Sequence, residues 1–426
     1  MQSKKRSIRL SALFALFSVT LLTTSKYTVA QEEIVLHSFL NNGQDGQTPS
    51  NPLIFDGAGN LYSTTEGGGA YNSGTIFEMS PNAGGGWTEN PLYSFPDNGT
   101  YSEGLNASGG LILDGLGNLY GMTSEGGMGR ACFLGPGCGT VFTLSPKAGG
   151  VWAYKILHYF NDNGGNGPGG GLVFDADDNL YGVTAFGGST NAEGTAFELS
   201  PAGNGKWTES LLREFHPGLY GIVPGGPLIF DADGNLYGTS ASGGTDSRGT
   251  VFELSPAGEV GWMETVLYSF VENSGFTPNG GLVFDANGNL YGTTAIGGAN
   301  CAYIYSCGTL FELSPAGDGS WTETTIHSFS QTATDGFDPN GGLIIDSSGN
   351  LYGTTAKGAA YNGGIVFELT PTASGNWTET VLHSFGRAKD GKSPRSSLVF
   401  DSSGNLYGTT AEGGLDGVGT VFEITP

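Results

Sequence analysis

The triplet Asn-Leu-Tyr occurs seven times, with its Asn at Asn60, Asn118, Asn179, Asn235, Asn289, Asn350 and Asn405. Successive copies lie 58, 61, 56, 54, 61 and 55 residues apart. A period of that size restricts the chain to a solenoid, an array or a propeller. Each period holds four short runs rich in β-branched and aromatic residues, divided by Gly, Asp, Asn or Pro. In the fifth they read GLVFD, NLYGTT, GTLFELS and WTETTIHSF. Four strands with no helical period are the content of one propeller blade.

The two ends of the repeat array choose between an open and a closed form. Copy seven runs to GTVFEITP, without the Trp-to-Phe segment that follows in the other six. Near the start, EEIVLHSF matches ETVLHSF of copy six, Val35 through Phe39 against Val381 through Phe385. A ring whose first strand completes its last blade needs complementary ends, and that pairing also removes an exposed strand edge. The expected fold is all-β: a seven-bladed β-propeller with four antiparallel strands per blade, closed by the N-terminal strand. Residues 31–39 form the closing strand, opposite Val421–Thr425. Burial of Val35, Leu36 and Phe39 would contribute about 1.5–3 kcal/mol each if complete. The blades fall at approximately 50–95, 109–160, 169–215, 225–270, 280–329, 341–385 and 396–426.

The turns agree with the strands. D-x-x-G-N between the first two runs, as in Asp231–Asn235, suits a tight hairpin with Gly in the left-handed region and Asp capping the turn. Copy three has Asp178 in place of Gly, and Asp is among the few residues that tolerate that conformation. S-P-A-G-x-G divides runs three and four, where Pro stops the ladder for want of an N–H.

Residues 1–30 read as an export signal outside this fold. Lys4, Lys5, Arg6 and Arg9 precede the apolar run LSALFALFSVTLL, and a small-residue cleavage site ends at Ala30. The mature chain would begin at Gln31, in a secreted, extracellular or periplasmic setting, with no membrane span after cleavage. Cleavage leaves 11 Lys and Arg against 40 Asp and Glu, a balance of −29 compared with −24 for the whole chain. So acidic a surface repels phosphate backbones, which excludes nucleic acid as a partner. An aromatic content of 12% argues against disorder despite 76 Gly.

The consensus GGLVFDADGNLYGTTAxGGxxxxGTVFELSPAGxGxWTETVLHSF resembles the GloVer (Gloeobacter/Verrucomicrobia-type, "choice-of-anchor") tandem repeat of secreted bacterial proteins. The resemblance spans essentially all of residues 32–426, and all seven copies carry its core. More distantly, GNLYGTT is similar to the strand motif of two-component regulator propellers. The resemblance implies the fold and export, and assigns no activity.

Several repeated residues suggest chemistry and are better read as structure. Asp56, Asp114, Asp175, Asp231, Asp285, Asp346 and Asp401 share one slot that looks like the start of a calcium loop. Two positions later, however, stand Ala58 and Leu116, which cannot coordinate calcium, and no Glu stands at the twelfth position. These Asp are expected to cap turns. His37, His158, His327 and His383 share a slot in the fourth strand, filled elsewhere by Tyr93, Arg213 and Tyr268. Spread around the rim, they cannot converge on one metal. Trp87, Trp152, Trp207, Trp262, Trp321 and Trp377 all open the fourth strand and are expected to pack between blades. Glu78, Glu198, Glu253, Glu312, Glu368 and Glu423 recur once per blade, as solvated or hydrogen-bonded strand positions do. No G-x-S-x-G and no metal-ligand cluster is legible, the sialidase Asp-box spacing is missing, and neither a catalytic residue nor a cofactor is assigned.

Two C-x5-C pairs, Cys132 with Cys138 and Cys301 with Cys307, occupy connectors between the second and third strands. In an exported chain such pairs form disulfides, each contributing about 2 kcal/mol. Those connectors emerge on the same face as the segments joining one blade to the next, and both are long and variable. Binding residues sit on loops presented by a rigid scaffold. The variable face is therefore the candidate surface, with Tyr71, Tyr101, Phe133, Tyr220, Phe276, Tyr303, Tyr305, Phe337 and Tyr361 displayed on it. Arg387, Lys389, Lys392 and Arg395 gather there too, either as an anchor for an acidic partner or as local neutralisation. The leading expectation is a binding module for an extracellular protein or glycan. The alternatives are a hydrolase or lyase acting at the central channel, and a structural surface protein. First strands made mainly of Gly, Leu, Val, Ile and Phe speak against channel chemistry.

Overall fold

The computed structural model describes residues 33–97, 102–127, 132, 137–189, 192–218, 220–258, 261–299 and 307–426. The expected signal at 1–30 lies outside them. Every named element is a β-strand, and the strands form seven antiparallel sheets of four or five strands and two further two-stranded ones. The seven larger sheets are the blades of a seven-bladed propeller. Blade 2 shows the plan: Leu105–Leu113 is innermost, then Leu119–Glu125, Thr140–Pro146 and, outermost, Trp152–Tyr159. No helix among the described residues is long and apolar enough to cross a membrane.

Blade 7 closes as expected. Glu33–Ser38 pairs antiparallel with Thr420–Ile424, from Glu33 opposite Ile424 to Ser38 opposite Thr420, with a bulge between Val35 and His37. Phe39 is fully buried, but Val35 and Leu36 are only partly so. A strand on the outer rim has one face toward solvent, so alternate residues cannot all be covered.

The hairpins form for the reason the sequence gives. Gly59, Gly117, Gly234, Gly288, Gly349 and Gly404 have φ between 83° and 88°, and Asp178 takes the same place at 63°. In each turn one Asp gathers the donors. Asp56 Oδ1 accepts the amides of Ala58 and Asn60 at 2.8 Å, while Oδ2 accepts Asn60 Nδ2 at 2.8 Å and the Tyr62 hydroxyl at 3.1 Å. Burial opposes ionisation, but these donors hold the Asp56 carboxyl below its ordinary pKa. The seven-fold Asp slot is thus a turn cap.

Blades adhere through three layers of contact. On the face of the short turns, each Trp that opens a fourth strand meets a Tyr of the preceding blade, as Trp87 meets Tyr407 and Trp321 meets Tyr237, with centroids 6.0 and 6.4 Å apart. In the middle, the Phe that follows each fourth strand packs on a third-strand Phe of the next blade. The seven pairs run from Phe39–Phe77 at 5.2 Å to Phe385–Phe422 at 5.0 Å. Edge-on aromatic pairs of this kind add about 0.5–1.5 kcal/mol beyond the area they bury. On the variable face, a Pro of the next blade presses against the Gly that precedes the third strand. A Cβ on Gly308 would sit 2.6 Å from Pro339 Cδ, and one on Gly249 would sit 2.5 Å from Pro278 Cδ.

Candidate functional site

The variable face is organised by residues that local sequence rules do not anticipate. At the head of each inner strand one residue has positive φ: Thr48, Asn106, Gly167, Val223, Thr277, Asp338 and Ser393, between 55° and 65°. For β-branched Thr48, Val223 and Thr277 this is a strained backbone, costing on the order of 1–3 kcal/mol. The strain is held by cross-blade bonding. Thr48 N donates to Val418 O at 2.8 Å, Val223 N to Glu193 O at 2.9 Å, and Ser393 N to Gly363 O at 2.7 Å. Each amide thus reaches a second-to-third connector of the preceding blade. Six of the seven precede a Pro. A residue before Pro is ordinarily steered to extended conformations, so tertiary bonding overrides the local preference here.

Inside this ring of staples, a cleft of about 310 Å³ opens between blades 1 and 2, lined by Asn51, Glu66, Asn106, Ala107, Ser108 and Ser124. Its walls are braced from behind. Asn51 Nδ2 donates to Thr64 Oγ1 at 2.8 Å and to Ala107 O at 3.0 Å, Ser108 Oγ donates to Pro168 O at 2.8 Å, and Ser50 Oγ donates to Glu66. Glu66 is the one titratable side chain in the lining. No motif marks this cleft in the sequence. Ala107 stands in its wall where the other six blades have Pro.

The aromatic candidates divide. Tyr71, Tyr220 and Tyr361 are about half exposed, at 54%, 44% and 47%. Phe276 and Phe337 are partly buried, and Phe337 packs against the core at the junction of blades 5 and 6. Three cations lie over these rings: Arg213 over Tyr220 at 5.1 Å, Arg248 over Phe276 at 5.0 Å and Arg387 over Tyr361 at 5.1 Å. Tyr101, Phe133, Tyr303 and Tyr305 lie outside the described residues. In the basic run, Arg387, Lys389, Lys392 and Arg395 are all exposed, but Lys392 is paired with Glu412 at 3.2 Å, and Arg395 Nε donates to Ser393 Oγ at 3.2 Å. Cys132 and Cys138 form a disulfide. Cys307 is disulfide-bonded as well, and its expected partner Cys301 lies outside the described residues.

The four His do not meet one another, yet each meets carboxylates across a blade junction. His327 Nε2 lies 3.7 Å from Asp335 and 3.8 Å from Glu379 of the next blade. His383 Nε2 lies 3.3 Å from Asp390 and 3.8 Å from Glu33, and His37 Nε2 lies 3.3 Å from Asp45, with Glu89 completing that group. His158 faces Glu209 at 3.5 Å, where Gly164 stands near the carboxylate in place of an Asp. The sequence shows no such clusters because their members come from three separated segments.

A closed ring of near-identical blades, stapled on one face and carrying a polar cleft there, defines a repeat propeller built to present a loop surface. Residues 134–330 and 302–426 match the model of the Gloeobacter/Verrucomicrobia repeat, and the chain belongs to that family. No curated protein matches it. Among solved structures, the extracellular domain of a putative one-component system of B. thetaiotaomicron is similar with a TM-score of 0.52 at 12% identity, over 92% of this chain and 40% of that one. A putative oxidoreductase (glucose dehydrogenase) of Thermus thermophilus has a TM-score of 0.45 at 14% identity, over 93% and 100% of the two chains. PorZ, a surface component of the type-IX secretion system of Porphyromonas gingivalis, has a TM-score of 0.47 at 15% identity, over 86% and 46%. At such identities the likeness extends to the fold alone.

Proposed function

We propose that the chain is an exported binding propeller that engages an extracellular glycan or protein through its variable face, seated on the cleft between blades 1 and 2. The observation that carries this reading is the cleft itself: amide, hydroxyl and carboxylate groups around about 310 Å³, braced by bonds to neighbouring strands. Fixed polar groups in a concave site suit a hydroxyl-rich ligand, because each ligand hydroxyl can both donate and accept. Half-exposed Tyr71 on the loop face supplies a flat apolar surface of the kind that sugar rings and protein side chains pack against. A lone titratable group in the lining argues for binding over hydrolysis, which uses paired acid and base groups.

Glycan and protein arrays probed with the wild-type protein and with Ser124→Tyr test the reading. The expected result is a defined set of bound ligands, lost when the Tyr fills the cleft, with no cleavage products released. Binding that survives Ser124→Tyr, or no binding at all, overturns it. The second outcome would favour a structural surface role.

A further inference from the structure

The seven blade junctions hold equivalent trios of side chains near the variable face. Each trio joins a fourth-strand residue, the residue before a Gly in the connector that follows, and a fourth-strand residue of the next blade. At the junctions without His the trios are Tyr93, Glu103 and Tyr154; Arg213, Tyr220 and Glu264; and Tyr268, Ser274 and Glu323. Each of these is held by a direct contact: Tyr93 stacks on Tyr154 at 4.2 Å, Arg213 pairs with Glu264 at 2.9 Å, leaving Glu264 Oε1 without a partner, and Tyr268 donates to Glu323 at 3.4 Å. Asp enters the middle slot at three junctions, and His holds the first slot and Glu the third at all three. The trios are His37–Asp45–Glu89, His327–Asp335–Glu379 and His383–Asp390–Glu33, each with its donor atoms within 4.8 Å of one another.

In two of these trios the His bonds the Asp, His37 Nε2 with Asp45 Oδ2 and His383 Nε2 with Asp390 Oδ2, both at 3.3 Å, yet each of the three leaves at least one buried carboxylate oxygen without a partner. Asp335 is 8% exposed; its Oδ2 accepts Ser330 N and Oγ, both at 2.7 Å, while Oδ1 has no hydrogen-bond partner. His327 Nε2 and Glu379 Oε1 are buried and unpartnered too, as are Asp390 Oδ1, Glu33 Oε1 and Glu89 Oε1. The His327 separations of 3.7 and 3.8 Å are too long for hydrogen bonds. They are close to the spacing of two ligands on one tetrahedral ion, since bonds of about 2.0–2.2 Å to zinc put neighbouring donors roughly 3.3–3.6 Å apart. Bonds from Ser330 to the far oxygen of Asp335, and from the Gly386 and Arg387 amides to Asp390, fix the carboxylates as outer-shell partners fix metal ligands.

We propose that the His37–Asp45–Glu89, His327–Asp335–Glu379 and His383–Asp390–Glu33 trios each bind a divalent ion of the zinc class, clamping adjacent blades together. One imidazole nitrogen and two carboxylate oxygens make a three-ligand site with a fourth position open to water. Mixed nitrogen and oxygen donors select zinc-like ions over calcium or magnesium, which take all-oxygen shells. The ion replaces the missing hydrogen-bond partners and neutralises two facing carboxylates. The blade 2/3 junction, with His158 and Glu209 but Gly164 in the middle slot, lacks the third ligand and serves as the internal control.

Zinc titration of the chelator-stripped protein, with bound metal measured after gel filtration, tests the assignment. One ion per trio gives three per chain, and Glu379→Gln is expected to remove one of them, whereas Glu209→Gln removes none. Thermal melts guard against misfolded variants. Without metal, Glu379→Gln melts at or above the wild type, because it relieves a buried charge; with zinc the order reverses. Calcium at the same concentration leaves the wild-type melt unmoved. Zinc uptake that is unchanged in Glu379→Gln, a wild-type melt that zinc does not raise, or the absence of zinc uptake overturns the proposal.

Discussion

Phe39, the residue after the closing strand, packs edge-on against Phe77 of the first blade, with ring centroids 5.2 Å apart and planes at 75°. Both rings are fully buried. The pair joins the last blade to the first, so the ring is sealed by an apolar contact as well as by the ladder to Thr420–Ile424. Phe39→Ala is expected to destabilise the protein by about 3–5 kcal/mol, the usual cost of emptying a fully packed Phe site. Ile34→Ala, on the same strand but 49% exposed, should stay within about 0.5 kcal/mol. Urea unfolding followed by Trp fluorescence measures both.

Gly308 and Gly288 both have positive φ, at 90° and 84°, yet for different reasons. A side chain on Gly308 would strike the Thr294 carbonyl and Pro339 of the next blade, whereas Gly288 faces open space. Gly308→Ala should therefore cost well above about 1 kcal/mol. Gly288→Asp should be tolerated, since Asp178 already occupies that turn position in blade 3. Melting temperatures of the two variants provide the comparison.

His158 and Glu209, 3.5 Å apart, bring opposing pH dependence to the blade 2/3 junction. Burial lowers His158 to about 4 and raises Glu209 to about 7. The depressed His contributes stability that is present above its ordinary value near 6.5 and is lost as pH falls through about 4. The raised Glu works the other way: its contribution is full below about 4.5 and is lost as pH rises through about 7. Glu209→Gln removes only the second term. Its stability relative to wild type should rise between about pH 4.5 and 7 and level off above, as read from denaturation at a series of pH values. A flat difference across that range contradicts the assignment.

Much of the fold was legible because each blade repeats the same local physics. D-x-x-G-N specifies the hairpin, alternating apolar residues specify two-faced strands, and the match of EEIVLHSF to ETVLHSF specifies the closure. Single residues were legible too, down to Asp178 replacing Gly in one turn. The loop face was less so. Tyr220 and Tyr361 are legible as loop-face aromatics, but that Arg213 and Arg387 lie over their rings depends on how the connectors fold. The cleft at Asn51 and Ser124 has no motif, since its walls belong to two blades.

The sequence by itself determined the repeat, the blade count and the joint between the chain's two ends, because strand periodicity and turn chemistry act over a few residues. Only the tertiary structure decided what meets at the seams. The left-handed backbone at Val223, the press of Pro339 on Gly308, and the approach of Glu379 to His327 across a blade boundary all depend on where one sheet lies against the next. Hydrogen bonds, packing and charge act over a few ångströms in space, and ring closure brings within that range residues that the chain keeps about fifty positions apart.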